Sequence, residues 1–237
     1  MTDLDRQLQD LVTANRILAR EEVVDAFGHV SIRHPERPGR YILSQSRAPE
    51  LVDTPDLMEY TLEGEPLDQQ GRTMYSERPI HGGVYEARPD VQAVVHNHSP
   101  AVLPFGVTGA PLRPMFHLAA IIGPQLPVWD IRDNFQDTSL LVTTMEQGRD
   151  LAATLGQGRA ALMRGHGCVV TGNTLKEAVM ASVYLQVNAR LLLASLPLGE
   201  VKYLSPGEIE LMSQSQVRPT SMGRAWEYWA VRAGRSV

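Results

Sequence analysis

At 237 residues, 43% hydrophobic and 21% charged, the chain has the size and composition of one globular α/β domain. A net charge of −5, with no basic stripe and no interleaved aromatics, argues against a nucleic-acid partner. The single Cys168 excludes an internal disulfide and fits a reducing compartment. No stretch reads as apolar enough to span a membrane, and the first residues lack a charged-then-apolar leader pattern. The expectation is a cytoplasmic protein folded as a single domain over residues 1–237.

Leu4, Leu8, Leu11, Val12 and Leu18 recur at helical spacing, so the chain opens with an amphipathic helix to about Glu22. Strands at 30–33 and 41–43 flank a Pro- and Gly-rich turn and form a hairpin. Thr54 is the expected N-cap of a short helix with Pro55 at its first position. A second small hairpin is expected around Glu63-Gly64. Ser76 then caps a helix carrying Glu77, Ile80, Val84 and Ala87, with Pro79 tolerated in the first turn. Arg88-Pro89-Asp90 ends it and turns into an apolar strand, Val91-Gln92-Ala93-Val94-Val95, that closes on His96-Asn97-His98.

Ser99-Pro100 starts another turn of helix, and a short strand is expected at 127–131. Thr143 or Thr144 opens a capping box for a helix that stops at Gly156. Two short strands, 160–163 and 168–170, flank Gly165-His166-Gly167. Thr174 and Glu177 form a further capping box before a long helix ended by Pro197-Leu198-Gly199. The tail from Pro206 is polar and then amphipathic, with Trp226, Tyr228 and Trp229 as packing residues, a lid or a neighbour contact. Short strands with helices around them suggest a central, mainly antiparallel sheet covered by helices.

Side chains alternate across a strand, so His96 and His98 share a face. Two imidazoles side by side make a poor core filling but half of a metal site, although histidine is also a common polar core residue. His166, between two glycines that let the backbone come close, adds a third donor. Three protein ligands with an open position are the usual form of a catalytic metal site. Glu77, one helix upstream, is either a fourth ligand, an acid/base, or merely a first-turn carboxylate favoured by the helix dipole. His81 reads as structural, His34 as a turn residue and His117 as core. His29, beside Gly28 at the start of a strand, is less easily dismissed.

These motifs resemble the class II aldolase/adducin family: Ser76-Glu77, Arg88-Pro89-Asp90-Val91, Ala93 through His98, and Gly165-His166-Gly167 match it in order and spacing. The resemblance implies a three-layer α/β/α fold and a homotetramer with active sites between neighbouring subunits. It also implies a divalent metal, often zinc, on His96, His98 and His166, with Glu77 as the acid/base carboxylate. Zn2+ and Mn2+ both suit such a set.

Sugar-phosphate members of that family bind phosphate through Gly-Asn-x-Ser, Thr-Pro-Ser-Gly-like and Ser-Ser-Glu segments. Here these are Gly28-His29-Val30-Ser31, Ser44-Gln45-Ser46-Arg47 and Tyr75-Ser76-Glu77. The metal set is kept and the phosphate set is altered. Arg47 supplies a fork-shaped cation suited to a planar carboxylate, and Arg164 is a second such candidate; either is otherwise a surface or interface ion pair. Ser-Gln-Ser-Arg-Ala-Pro-Glu with Arg-Gly-His-Gly looks like the branch that decarboxylates hydroxylated aromatic or heteroaromatic acids. The expected activity is therefore a metal-dependent carbon–carbon lyase, a decarboxylase passing through an enolate-like charge. An aldolase of an unphosphorylated hydroxy-keto acid and a non-catalytic, adducin-like scaffold are the alternatives. The expected substrate contacts are His29, Arg47, Ser76 and Arg164.

Overall fold

The computed structural model describes residues 2–235. Its elements are α1 (Asp3–Arg20), β1 (His29–Arg33), β2 (Arg40–Ser44), β3 (Leu57–Thr61), α2 (Arg78–Ala87), β4 (Ala93–Asn97), α3 (Leu103–Thr108), β5 (Val128–Trp129), α4 (Arg132–Phe135), α5 (Met145–Leu155), β6 (Ala160–Met163), β7 (Gly167–Gly172), α6 (Leu175–Ser195), α7 (Pro206–Gln216) and α8 (Pro219–Arg232). The strands form one seven-stranded sheet in the order β3-β2-β1-β4-β7-β6-β5, antiparallel throughout except for the β5–β6 pair.

Alternation along the central strands divides the core into two layers. Ala93 and Val95 of β4, Cys168 and Val170 of β7, and Ala160 and Leu162 of β6 join the face covered by α1, α6 and α8. Val94, Val169, Ala161 and Met163 point the other way, into the face covered by α2 and α5. Helices on both faces of one sheet make the expected α/β/α sandwich. Each fully buried Val or Leu adds on the order of 1.5–3 kcal/mol to it.

The second layer has no room to spare. A Cβ on Gly82 would lie 2.1 Å from the Leu62 carbonyl, one on Gly83 2.4 Å from the Gly148 backbone, and one on Gly148 2.2 Å from the Pro79 carbonyl. Helices α2 and α5 therefore touch backbone to backbone. The far end of α2 is fastened by the buried Arg33, whose Nη2 donates to the Tyr85 and Arg88 carbonyls at 2.8 and 2.9 Å and whose Nε donates to Val91 O at 3.0 Å. Both fastenings fix where α2 begins, and Glu77 stands immediately before it.

Several local expectations change. Ser76 is exposed and caps nothing; Glu77 is the residue preceding α2, and its carboxylate is used elsewhere. Asp53, rather than Thr54, caps the 3₁₀ turn Thr54–Asp56. The second hairpin is reduced to β3 and a single bridge between Tyr60 and Pro66. Thr144 with Gln147 is the full capping box at α5. Thr174 caps α6 without the reciprocal half, because the Glu177 carboxylate accepts from the Asn173 amide and Arg159 instead. His117 is exposed, not core.

Leu175–Leu198 is in fact long and apolar enough to cross a membrane by length and composition, but 56% of its hydrophobic window is buried within the fold, as befits a core helix. Trp226 and Trp229 are buried in the α6 face, with Lys176 over Trp226 and Tyr184 beside Trp229, whereas Tyr228 is exposed. The packing reading holds for both tryptophans.

Gly148→Ala should lower the folding free energy by about 1–3 kcal/mol through overpacking against α2. Urea unfolding measures this, and an unchanged midpoint would contradict the backbone-to-backbone contact.

Candidate metal centre

The site forms at the sheet end where β4 finishes and β7 begins. The register sets His29 of β1 opposite His96 of β4, and His96 opposite Val169 of β7. His98 lies just past β4, and His166 occupies the turn joining β6 to β7. That turn needs both of its glycines. Gly165 has a φ of +67°, and a Cβ on Gly167 would lie 2.1 Å from the Asn97 carbonyl oxygen. The second glycine thus lets β7 start against β4, which delivers His166 to the other two histidines.

The three imidazoles form a nearly equilateral set, with ring centroids 4.8 Å (His96–His98), 4.9 Å (His96–His166) and 5.0 Å (His98–His166) apart. His96 Nδ1–H donates to the Cys168 carbonyl at 3.1 Å, which assigns the proton to Nδ1 and leaves Nε2 as a lone pair. That Nε2 lies 3.0 Å from His98 Nε2. Two lone pairs at this distance repel unless a proton or cation lies between them. A tetrahedral zinc with Zn–N bonds near 2.0–2.1 Å would hold two such nitrogens roughly 3.3 Å apart. Both ring nitrogens of His166 are buried without a hydrogen-bond partner, a costly state that coordination relieves.

Glu77 completes the cluster. Its Oε1 lies 3.4 Å from His166 Nε2 and its Oε2 3.6 Å from His96 Nε2, while the Val142 amide donates to Oε1 at 3.0 Å. One ligand atom from each of Glu77, His96, His98 and His166 falls within 4.8 Å of all the others. This donor set, nitrogen-rich with one carboxylate and two orphaned nitrogens, fits a divalent transition-type ion.

Electrostatics agree. Burial alone would raise the Glu77 carboxyl, yet the neighbouring His166 and His96 outweigh it and hold the group well below the usual carboxylate range. Burial, with His96 and His166 nearby, lowers His98 to about 4, so its imidazole is neutral and free to ligate near pH 7. His96 is lowered mainly by burial, with Glu77 opposing.

The remaining expected site residues separate. His29 is buried against the cluster, 5.1 Å ring to ring from His96. Arg47 pairs through Nη1 with both oxygens of Asp56 at 3.0 and 2.8 Å, with its side chain 45% exposed. Arg164, two residues before His166, pairs with Asp130 at 2.6 Å.

Two contributors were not read from the sequence. Tyr75 packs at a tilt against His29 with centroids 4.5 Å apart and bonds to the Arg47 backbone through its hydroxyl, tying the Arg47 loop to the cluster. Its position directly before Ser76-Glu77 was the available signal. The Val142 amide has no sequence signal, because every residue but proline carries one. A groove of about 510 Å3 opens beside His98, lined in part by Asp25, Pro100, Gln186 and Arg190. A roomier cavity of about 670 Å3 lies against the start of α6 and holds none of these groups.

A helix-covered, mainly antiparallel sheet with three histidines and a carboxylate gathered at one end defines a class of α/β metal-site protein. The chain belongs to the class II aldolase/adducin family, since the pattern described as the Class II Aldolase and Adducin N-terminal domain matches residues 9–193. It is 30% identical to Decarboxylase tropJ of Talaromyces stipitatus, over 94% of this chain and 92% of that one. It is 27% identical to the 3,4-dihydroxyphthalate decarboxylase of a Terrabacter species, over 97% of each. Among solved structures, an aldolase II superfamily protein from Pseudomonas syringae superposes with a TM-score of 0.81 at 17% identity, covering 98% of this chain and 94% of that one. An L-fuculose 1-phosphate aldolase does so with a TM-score of 0.76 at 20% identity, covering 91% and 97%.

Burial also lowers His29 well below its ordinary value and His81 to about 3. Unfolded, each titrates near 6.5, so between that value and the folded one the unfolded chain binds more protons. Metal-free protein should therefore lose stability as the pH falls from about 6.5 toward 4. The loss is about 1.4 kcal/mol per pH unit for each of these two imidazoles, and less for the partly solvated His98. Urea midpoints measured from pH 7 to 4.5 test this, and a flat profile would contradict it.

Proposed function

We propose that the protein is a metal-dependent carboxy-lyase that removes CO2 from a hydroxylated aromatic or heteroaromatic acid. One divalent ion per chain, Zn2+ or Mn2+, is held by His96, His98 and His166. The observation that carries the reading is the four-donor cluster, found in a chain whose relatives over nearly full length include a 3,4-dihydroxyphthalate decarboxylase. The altered phosphate segments around His29, Arg47 and Ser76 favour it over a sugar-phosphate aldolase. The whole chain acts as one unit.

A divalent ion held by His96, His98 and His166 would supply Lewis acidity for the charge left when a carboxylate departs. Glu77, fixed by the Val142 amide, handles the proton that replaces CO2 on carbon. Arg47 holds the substrate carboxylate; Asp56 anchors its Nη1 and leaves the rest of the guanidinium fork for a ligand. His29, Ser76 and Arg164 line the substrate side.

The active unit is a homotetramer with sites between subunits. Phe27 (67% exposed) and Leu141 (40% exposed), apolar side chains on the segments beside His29 and Val142, support a subunit contact there. A cytoplasmic location suits the free, buried Cys168.

CO2 release from a panel of ortho-hydroxy aromatic acids, 3,4-dihydroxyphthalate included, tests the reading. A strong chelator should abolish release, and Zn2+ or Mn2+ should restore it. His166→Ala should lose metal and at least about two orders of magnitude in activity. Glu77→Gln should keep metal while losing about 10²–10⁴-fold in kcat. Chelator-resistant activity contradicts the account, pyruvate or an aldehyde as product favours an aldolase, and protein that binds no metal favours a scaffold.

A further inference from the structure

His29 does more than border the metal cluster. Its Nδ1 lies 2.6 Å from His81 Nε2, and His81 Nδ1 lies 2.6 Å from Ser31 Oγ. Ser31 Oγ in turn lies 2.8 Å from the Tyr85 hydroxyl. All four side chains are buried, so water cannot substitute for a missing partner. The chain reaches from the metal cluster into the core between the sheet and α2.

Proton bookkeeping gives this chain a direction. Among the described residues the Tyr85 hydroxyl has one side-chain partner, Ser31, and its other polar neighbour, the Val94 amide, is itself a donor. The Arg33 guanidinium, 4.8 Å over the tyrosine ring, can accept nothing. Tyr85 O–H therefore donates to Ser31 Oγ, because the reverse would leave a buried O–H without an acceptor. Ser31 has one proton and gives it to His81 Nδ1. A neutral His81 then carries its proton on Nε2 and donates to His29 Nδ1, leaving the His29 proton on Nε2.

We infer that His29 is a fixed, neutral Nε2–H donor to a substrate oxygen, not a fourth histidine ligand, and that Tyr85, Ser31 and His81 are the residues that set its tautomer. A nitrogen that carries its proton has no lone pair for a metal, and His29 accordingly stands outside the four-donor cluster. Because its Nδ1 accepts from His81, the ring carries a single proton and is uncharged.

The use of such a donor follows from the proposed decarboxylation, on which this part of the inference rests. When the C–C bond to the carboxylate breaks, its electron pair moves into the ring and toward the hydroxyl oxygen, and a proton takes the place of CO2 on carbon. An N–H oriented beforehand at that oxygen is worth more in the transition state than in the ground state. An unfixed imidazole would spend part of its time presenting a lone pair there instead.

Side-chain 15N NMR of metal-free, full-length protein labelled at histidine reads the tautomers directly, with His29→Gln to assign the signals. The expected result is a pyrrole-like Nε2 and a pyridine-like Nδ1 for both His29 and His81. A proton on His29 Nδ1 overturns the inference. Because these spectra need neither metal nor substrate, they remain decisive if the proposed substrate class is wrong.

In the loaded enzyme, Ser31→Ala should mix the His29 tautomers and lower kcat on the order of tenfold, the loss of one oriented hydrogen bond, with metal content unchanged. Ser31→Thr, which keeps the hydroxyl, should restore kcat. Wild-type kcat in a folded Ser31→Ala variant with a single Nε2–H signal contradicts the positioning role, and the wild-type spectra decide the tautomer whether or not that variant folds.

Discussion

Three imidazoles turned toward one another create the constraint on which the rest of the structure depends. His96 spends its Nδ1 proton on the Cys168 carbonyl, so its second nitrogen faces His98 at 3.0 Å as a bare lone pair. His166 brings two further nitrogens that have no hydrogen-bond partner among the described residues. Left alone, such a cluster costs stability through its unmet hydrogen bonds. A cation at its centre converts the same geometry into a gain. Glu77, held ionised by the histidines around it, supplies the negative charge that makes a divalent ion the suitable occupant.

The scaffold around this cluster is shaped by close backbone approach. The glycine at 167 brings β7 against β4, and the glycines at 83 and 148 bring α2 against α5. The first approach delivers His166; the second fixes the start of α2 and brings the Val142 amide to Glu77. Arg33, buried with its donors on the carbonyls at the far end of α2, prevents that helix from sliding. Of these groups the Val142 amide alone bonds to a cluster donor, and the glycines and Arg33 act on the cluster through the backbone they position.

Much of this was legible in the chain itself. The alternating run into His96 and His98, and His166 between two glycines, carried enough periodicity and turn chemistry to locate three donors at one sheet end. A helix-covered, mainly antiparallel sheet followed from short strands flanked by capped helices, and the three-layer sandwich from the family resemblance. What could not be read depended on partners distant in sequence. Ser76 looked like a cap because the spacing allowed it, but the residue before α2 is Glu77, whose carboxylate is taken by the cluster and by the Val142 amide. Glu177 looked like half of a capping box, but Arg159 and the Asn173 amide claim it. His117 sat in an apolar run that forms a 3₁₀ segment with its histidine facing outward. The relay from Tyr85 to His29 joins residues 50 or more positions apart, which no local pattern reveals.

Relatives acting as decarboxylases and structural neighbours acting as aldolases share one chemical demand, which is to stabilise electrons left on carbon after a bond breaks. A single cluster of this kind serves either reaction, and the groups around it select the substrate. The most direct measurement of the central claim is X-ray absorption at the metal edge of the purified protein, with metal content determined on the same sample. The account predicts close to one divalent ion per chain with three imidazole nitrogens near 2.0–2.1 Å for zinc. Protein that takes up no ion, or an ion whose imidazole signal is unchanged when His96, His98 and His166 are replaced, would contradict it.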